Sequence, residues 1–226
     1  MITHTIQKLV LISLFALSSS VFAEDKINWT GPYLGLDAGY SWTRDSNLEF
    51  SGDGGTPDYR WTAKNKPSGG LVGINAGYNY LLNDKWLFGL GAEFKTYNAN
   101  DTLPWGPAVD NATITSSVEN KFSLLAKAGY LINDKTMFYM NGGWANAEIK
   151  RNYADLIPMT FKNWQDGWTL GAGGEYSIYQ NLTAKIEYRY TDLGDKKNWR
   201  TFPGTTFHEK QSVYQNELTA GIAYHF

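Results

Sequence analysis

Leu182-Thr183-Ala184-Lys185-Ile186-Glu187-Tyr188-Arg189-Tyr190-Thr191 changes character at every step. On an extended chain successive side chains point to opposite sides. Leu182, Ala184, Ile186, Tyr188 and Tyr190 therefore share one face, and Thr183, Lys185, Glu187, Arg189 and Thr191 share the other. A helical turn would scatter both sets around its circumference. The stretch reads as a β-strand with one dry face and one charged face.

Working outward, the same alternation recurs in Leu34 to Trp42, Val72 to Tyr80, Trp86 to Phe94, Phe122 to Tyr130, Phe138 to Trp144, Trp168 to Tyr176 and Tyr214 to Phe226, which makes eight strands. The connections between them alternate in length. Tyr80 to Trp86, Tyr130 to Thr136 and Tyr179-Gln180-Asn181 are tight turns. Residues 43–68, 98–118, 150–164 and 194–212 carry nearly all the prolines and many charges, so they read as four long loops.

Alternation alone does not say which face points inward. A soluble ligand carrier buries its apolar face, whereas a membrane barrel shows that face to lipid. Four features select the membrane. The strands run to about ten residues, longer than the soluble mode and right for a tilted crossing. Short turns alternate with long loops. Aromatics (Tyr80, Trp86, Tyr130, Phe138, Tyr176, Tyr224, Phe226) gather by the short turns and the C-terminus, as an interfacial girdle does. The polar face carries five acids (Asp37, Glu93, Glu175, Glu187, Glu217) and five bases (Lys95, Lys121, Lys127, Lys185, Arg189), a balance that suits a confined lumen where each charge needs a partner. The fold class is thus all-β: an eight-stranded antiparallel up-and-down transmembrane barrel with four long outer loops and three short periplasmic turns. Pairing Ile178 with Leu182 across the third turn sets Glu175 opposite Lys185, a predicted cross-strand ion pair.

Composition agrees. The chain has 226 residues, 15% aromatic, with no Cys and a net charge of −2. Aromatic richness excludes a disordered chain, and the missing Cys excludes disulfide scaffolds and thiol chemistry. A mean hydropathy of −0.40 excludes a bundle of apolar membrane helices. Near-neutral charge gives no nucleic-acid footprint. At the N-terminus, Lys8, the apolar run Leu9 to Leu17 and the small-residue site Val21-Phe22-Ala23 form an export signal too short to span a bilayer. Residues 1–23 are read as a cleaved signal peptide and 24–226 as one barrel domain.

Asn28-Trp29-Thr30-Gly31-Pro32-Tyr33-Leu34-Gly35, followed by Ala38-Gly39-Tyr40-Ser41-Trp42, resembles the opening of the outer-membrane immunogenic and hemin-binding barrels of Gram-negative bacteria, within the OmpA-like and opacity-type eight-stranded group. The closing Leu218 to Phe226 resembles the terminal signal read by the barrel-insertion machinery, with Tyr224 and Phe226 as its aromatics. The resemblance implies a cell outer-membrane location with periplasmic termini and exposed loops. It also implies contact with outer-membrane lipid and lipopolysaccharide, and handling by periplasmic chaperones and the assembly machinery. It supplies no catalytic motif, and hemin binding enters only through it.

Three function classes follow. An enzyme needs a base; beyond the signal there are only His208, in a loop, and His225, on the rim, so no catalytic site and no metal site is expected. A channel would use the ten lumen charges as a gate. Recognition of a host or small-molecule ligand would use loop aromatics set among basic residues: Tyr59, Trp61, Trp105, Trp164, Trp199 and His208. The expected function is a structural and surface-interacting outer-membrane barrel with at most a narrow pore; a small-solute porin is the rival, and a heme or adhesion receptor the next.

Overall fold

A computed structural model describes residues 27–53, 61–104, 113–154, 159–202 and 205–226. The signal stretch 1–23, Tyr59 and Trp105 lie outside the described residues, as do the side chains of Trp61 and His208.

The chain runs β1 (Gly31–Asp53), β2 (Trp61–Asn65), β3 (Ser68–Leu82), β4 (Trp86–Pro104), β5 (Thr113–Asn133), β6 (Thr136–Ala154), β7 (Met159–Tyr179), β8 (Leu182–Phe202) and β9 (Thr205–His225). Each segment pairs antiparallel with its neighbour, and β1 closes the ring on β9. β2 and β3 are one stave: Asp45 pairs with Asn65 and Trp42 with Ser68 in unbroken register. The interruption falls at Pro67, which has no N–H to give, while its carbonyl still accepts from Thr43 N at 2.8 Å. The nine segments therefore make an eight-stave barrel.

The faces are those the alternation predicted. Leu34, Ile74, Leu90, Met140, Leu170, Ile186 and Ile222 point outward and stay exposed. Asp37, Glu93, Lys95, Lys121, Glu175, Glu187, Arg189 and Glu217 point inward and are buried. Apolar surface outside and charge inside is the reverse of a soluble barrel.

The long connections differ from expectation. Much of 43–68, 98–118, 150–164 and 194–212 is wall, with ladders running to Pro104↔Thr113, Tyr153↔Met159, Phe202↔Thr205 and Asp53↔Thr206. The signal was hidden because contrast reverses above the apolar band. There the outer face carries Glu119, Lys150 and Lys162, while Ile114, Val118, Ile149, Leu193 and Val213 pack inside, as in a soluble barrel. A β-bulge between Val118 and Lys121 also shifts β5 by one residue, which breaks the period-2 count there. Among the described residues, β7 and β8 stop pairing above Trp168↔Asp192, although both strands continue. Side chains bridge that seam instead: Gln165 Nε2 donates to Leu193 O at 2.8 Å and Lys196 Nζ to Trp164 O at 2.8 Å.

The lumen charge network as candidate functional site

The ten lumen charges predicted from alternation meet in one column. Its upper part centres on Glu217. Lys95 Nζ lies 3.0 Å from Glu217 Oε2 and 3.1 Å from Glu93 Oε1. Lys121 Nζ pairs with Glu217 Oε1 and donates to Gln215 Oε1 at 3.2 Å, and Tyr97 Oη donates to Glu217 at 2.6 Å. Arg189 holds both Glu93 and Glu187. Glu187 also accepts from Tyr139 Oη at 2.9 Å and Asn141 Nδ2 at 2.7 Å.

The lower part joins Asp37 to Lys185 at 3.0 Å, with Asn75 Nδ2 donating to Asp37 at 2.6 Å. Lys127 lies 3.7 Å from Glu175 and sits between the rings of Tyr33 and Tyr139, 4.8 and 4.7 Å from their centroids. Glu175 accepts from Thr183 at 2.6 Å and lies 2.9 Å from His225 Nε2.

Glu175 and Lys185 do oppose each other in register, as expected. The ion pair expected between them is corrected: Lys185 turns to Asp37, and Glu175 to Lys127 and His225. In a barrel this narrow, long inward side chains reach staves beyond their own neighbour, so the lumen and not the ladder selects partners. The charge list also missed Tyr33, Tyr97, Tyr139, Asn75, Asn141 and His225, which complete the network. Inward parity was the available signal: Tyr33, Tyr97 and His225 alternate in step with the lumen charges of their own strands, and Asn75, Tyr139 and Asn141 alternate with the outward Ile74, Phe138 and Met140.

Apolar layers close the column at both ends. Above it lie Leu71, Tyr97, Ala99 and Val118, with Ala147, Ile149, Leu193 and Val213. Below it lie Ile27, Trp29, Leu87, Leu131, Met137 and Tyr139. One cavity within the column, lined by Glu93, Glu187, Arg189, Lys185 and Asn75, has about 20 Å³ of free space. That is roughly one water's worth of room.

Outside the barrel, Tyr224 and Phe226 stand exposed with rings 4.9 Å apart, edge to face. Of the loop aromatics, Trp164 and Trp199 lie on strands and are exposed, Trp199 at 72%. The backbone of His208 pairs with that of Trp199, and the backbone of Trp61 with that of Phe50. Above the outer aromatic rim, burial alone would raise the Glu148 carboxyl, but hydrogen bonds from Lys162 and Asn120 outweigh it and hold the group below its ordinary value.

A closed antiparallel ring, an apolar outer band edged by aromatics and a charged, packed interior define a small outer-membrane β-barrel. The chain belongs to the outer membrane protein beta-barrel domain family, whose profile matches residues 9–226. It is 32% identical to the 31 kDa outer-membrane immunogenic protein of Brucella melitensis over 76% of this chain and 74% of that protein. It is 27% identical to the 25 kDa outer-membrane immunogenic protein of Brucella abortus over 99% of this chain and 100% of that one. Among solved structures it resembles the outer membrane protein OprG from Pseudomonas aeruginosa, with a TM-score of 0.56 and 15% identity over 90% of this chain and 100% of that one. The protein is a multi-pass β-barrel of the outer membrane, so the short-turn end faces the periplasm and the long hairpins face outward.

Deleting Phe226 removes an exposed ring at the end of the closing strand and leaves the lumen untouched. The expected result is loss of most outer-membrane material, read as heat-modifiable protein in membrane fractions. Wild-type yield would show that Tyr224 and Phe226 do not form the assembly signal.

Proposed function

We propose that the protein is a non-catalytic structural barrel that presents its outward hairpins at the cell surface and keeps its lumen shut. One observation carries this: the charge column is filled, paired and capped by apolar layers at both ends. Ions crossing it would have to strip paired charges beside a cavity of only about 20 Å³. The names of the Brucella relatives, as immunogenic outer-membrane proteins, support a surface role. On this reading residues 1–23 are a cleaved leader, Tyr224 and Phe226 address the assembly machinery and its chaperones, and outer-membrane lipid and lipopolysaccharide surround the apolar band.

Among the described loop aromatics, Trp164 and Trp199 are exposed and open to a host or small-molecule ligand, and Lys162 and Lys196 lie beside Trp164. Nothing in the described lumen favours hemin as that ligand. The ring of His225 is buried against Glu175 and Trp29, and the cavity beside Glu93 and Arg189 holds only about 20 Å³.

Planar-bilayer recording of protein purified from outer membranes tests the closed lumen. The expected trace shows no steady channel. Steady conductance in the wild type would overturn the reading in favour of a small-solute pore. The feature that favours that second reading is the sharing of Lys95 by Glu93 and Glu217 at nearly equal distances, which gives the cation two seats.

A further inference from the structure

The motif Asn28-Trp29-Thr30-Gly31-Pro32-Tyr33 marks the start of the barrel, yet its first residues are not wall. Ile27 and Trp29 lie before β1 and are buried, Trp29 to 1% exposure, in the apolar cluster with Leu87, Leu131 and Met137. Those three are the lowest inward positions of β4, β5 and β6, so the segment fills the periplasmic mouth from within.

Each residue of the motif has a mechanical part. Trp29 Nε1 donates to Asp134 O in the β5–β6 turn at 3.0 Å, and its ring meets His225 edge-on at 5.3 Å. Thr30 Oγ1 accepts from Leu81 N at 3.0 Å, which ties the segment to the end of β3. Asn28 Oδ1 accepts from Thr30 N at 3.1 Å and shapes the bend. Gly31 turns the chain from the mouth into the wall at φ +142°, where a Cβ would come within 2.8 Å of Phe226 O. Only glycine meets both conditions without strain. Pro32 gives up a donor that the wall does not need, while its carbonyl accepts from Phe226 N at 3.0 Å. Tyr33 turns inward beneath Lys127.

We propose that Ile27–Thr30 is a plug, hinged at Gly31, that closes the periplasmic mouth of the lumen below the Glu175–His225–Lys127 group. Among the described residues the plug is held by one short apolar patch and two hydrogen bonds to turns or strand ends, whereas the staves around the mouth are held by backbone ladders on both sides. It is therefore the piece of the mouth that can leave while the wall stays intact. Its departure uncovers the lower charges to water from the periplasmic side, and the network above it remains a separate barrier.

The chain has no Cys, so a single introduced thiol reports alone. Ala223→Cys places it on β9, one inward position above His225, where the native residue is 3% exposed. Labelling by a water-soluble maleimide is measured on protein purified from outer membranes, with heat-modifiable migration confirming the fold. The thiol should react slowly in the otherwise wild-type barrel. Adding Trp29→Ala should speed it at least tenfold. Trp29→Phe, which keeps most of the apolar fill but loses the bond to Asp134 O, should give an intermediate rate; it carries the test alone if the alanine variant does not fold. Unchanged labelling in every folded variant, or fast labelling with Trp29 in place, would overturn the plug. Conductance reads the charge network and labelling reads the mouth, so failure of one leaves the other standing.

Discussion

Glu217→Ala is expected to lower the stability of the folded barrel by about 3–5 kcal/mol, the cost of breaking a buried ion pair by removing one partner. Glu217 is fully buried and serves Lys95, Lys121 and the Tyr97 hydroxyl together. Without it two ammonium groups stay in a lumen sealed above and below by apolar layers. Lys95 keeps Glu93, whereas among the described residues Lys121 keeps the Thr191 and Gln215 oxygens at 3.3 and 3.2 Å and the Tyr97 ring at 5.7 Å. Glu217→Gln retains an acceptor and should lose less. Reversible urea unfolding in lipid or detergent, followed by tryptophan fluorescence, reads the difference. A midpoint equal to wild type would show that the column fills space without holding the wall. Lys64→Glu, on an exposed β2 position, should leave the midpoint unchanged.

Ile186→Lys is expected to cost about 2–4 kcal/mol of insertion near the midplane and to cut outer-membrane yield sharply. Ile186 points outward at 57% exposure, in a row with Gly174 and Ala220, neither of which offers an acid to meet an ammonium. Its sequence neighbour Lys185 already carries a charge without penalty because it points inward to Asp37. The two positions differ by one residue and by the whole of the polarity argument. Normal insertion of Ile186→Lys would invert the face assignment and with it the membrane reading; heat-modifiable migration in membrane fractions decides.

The face assignment was legible because it depends on parity alone. A strand has a period of two, so Ile186 and Lys185 cannot share a side, and eight such stretches with tight turns between alternate pairs leave few architectures. Register along the strands beyond the third turn was legible, and Glu175 does face Lys185, but at the turn itself a bulge sets Tyr179 and not Ile178 opposite Leu182. Ion-pair choice was not legible. Asp37 lies 148 positions from Lys185, and they meet at 3.0 Å only because the ring closes and narrows. The height of the wall was also hidden. Ile114 and Val118 face inward where the outside is wet, so apolar residues there mark the opposite face from those in the membrane band, and the bulge before Lys121 hid the change.

By itself, then, the sequence determined the class of fold, the lipid-facing side, the ten charges of the lumen and the aromatic end of the closing strand, since each follows from local spacing. Only the tertiary structure decided which charges pair, that apolar layers cap them, that the hairpins continue the wall, and that Trp29 lies in the mouth and not on the rim. Those depend on side chains far apart in the chain being forced into one narrow interior, and no local pattern encodes that distance.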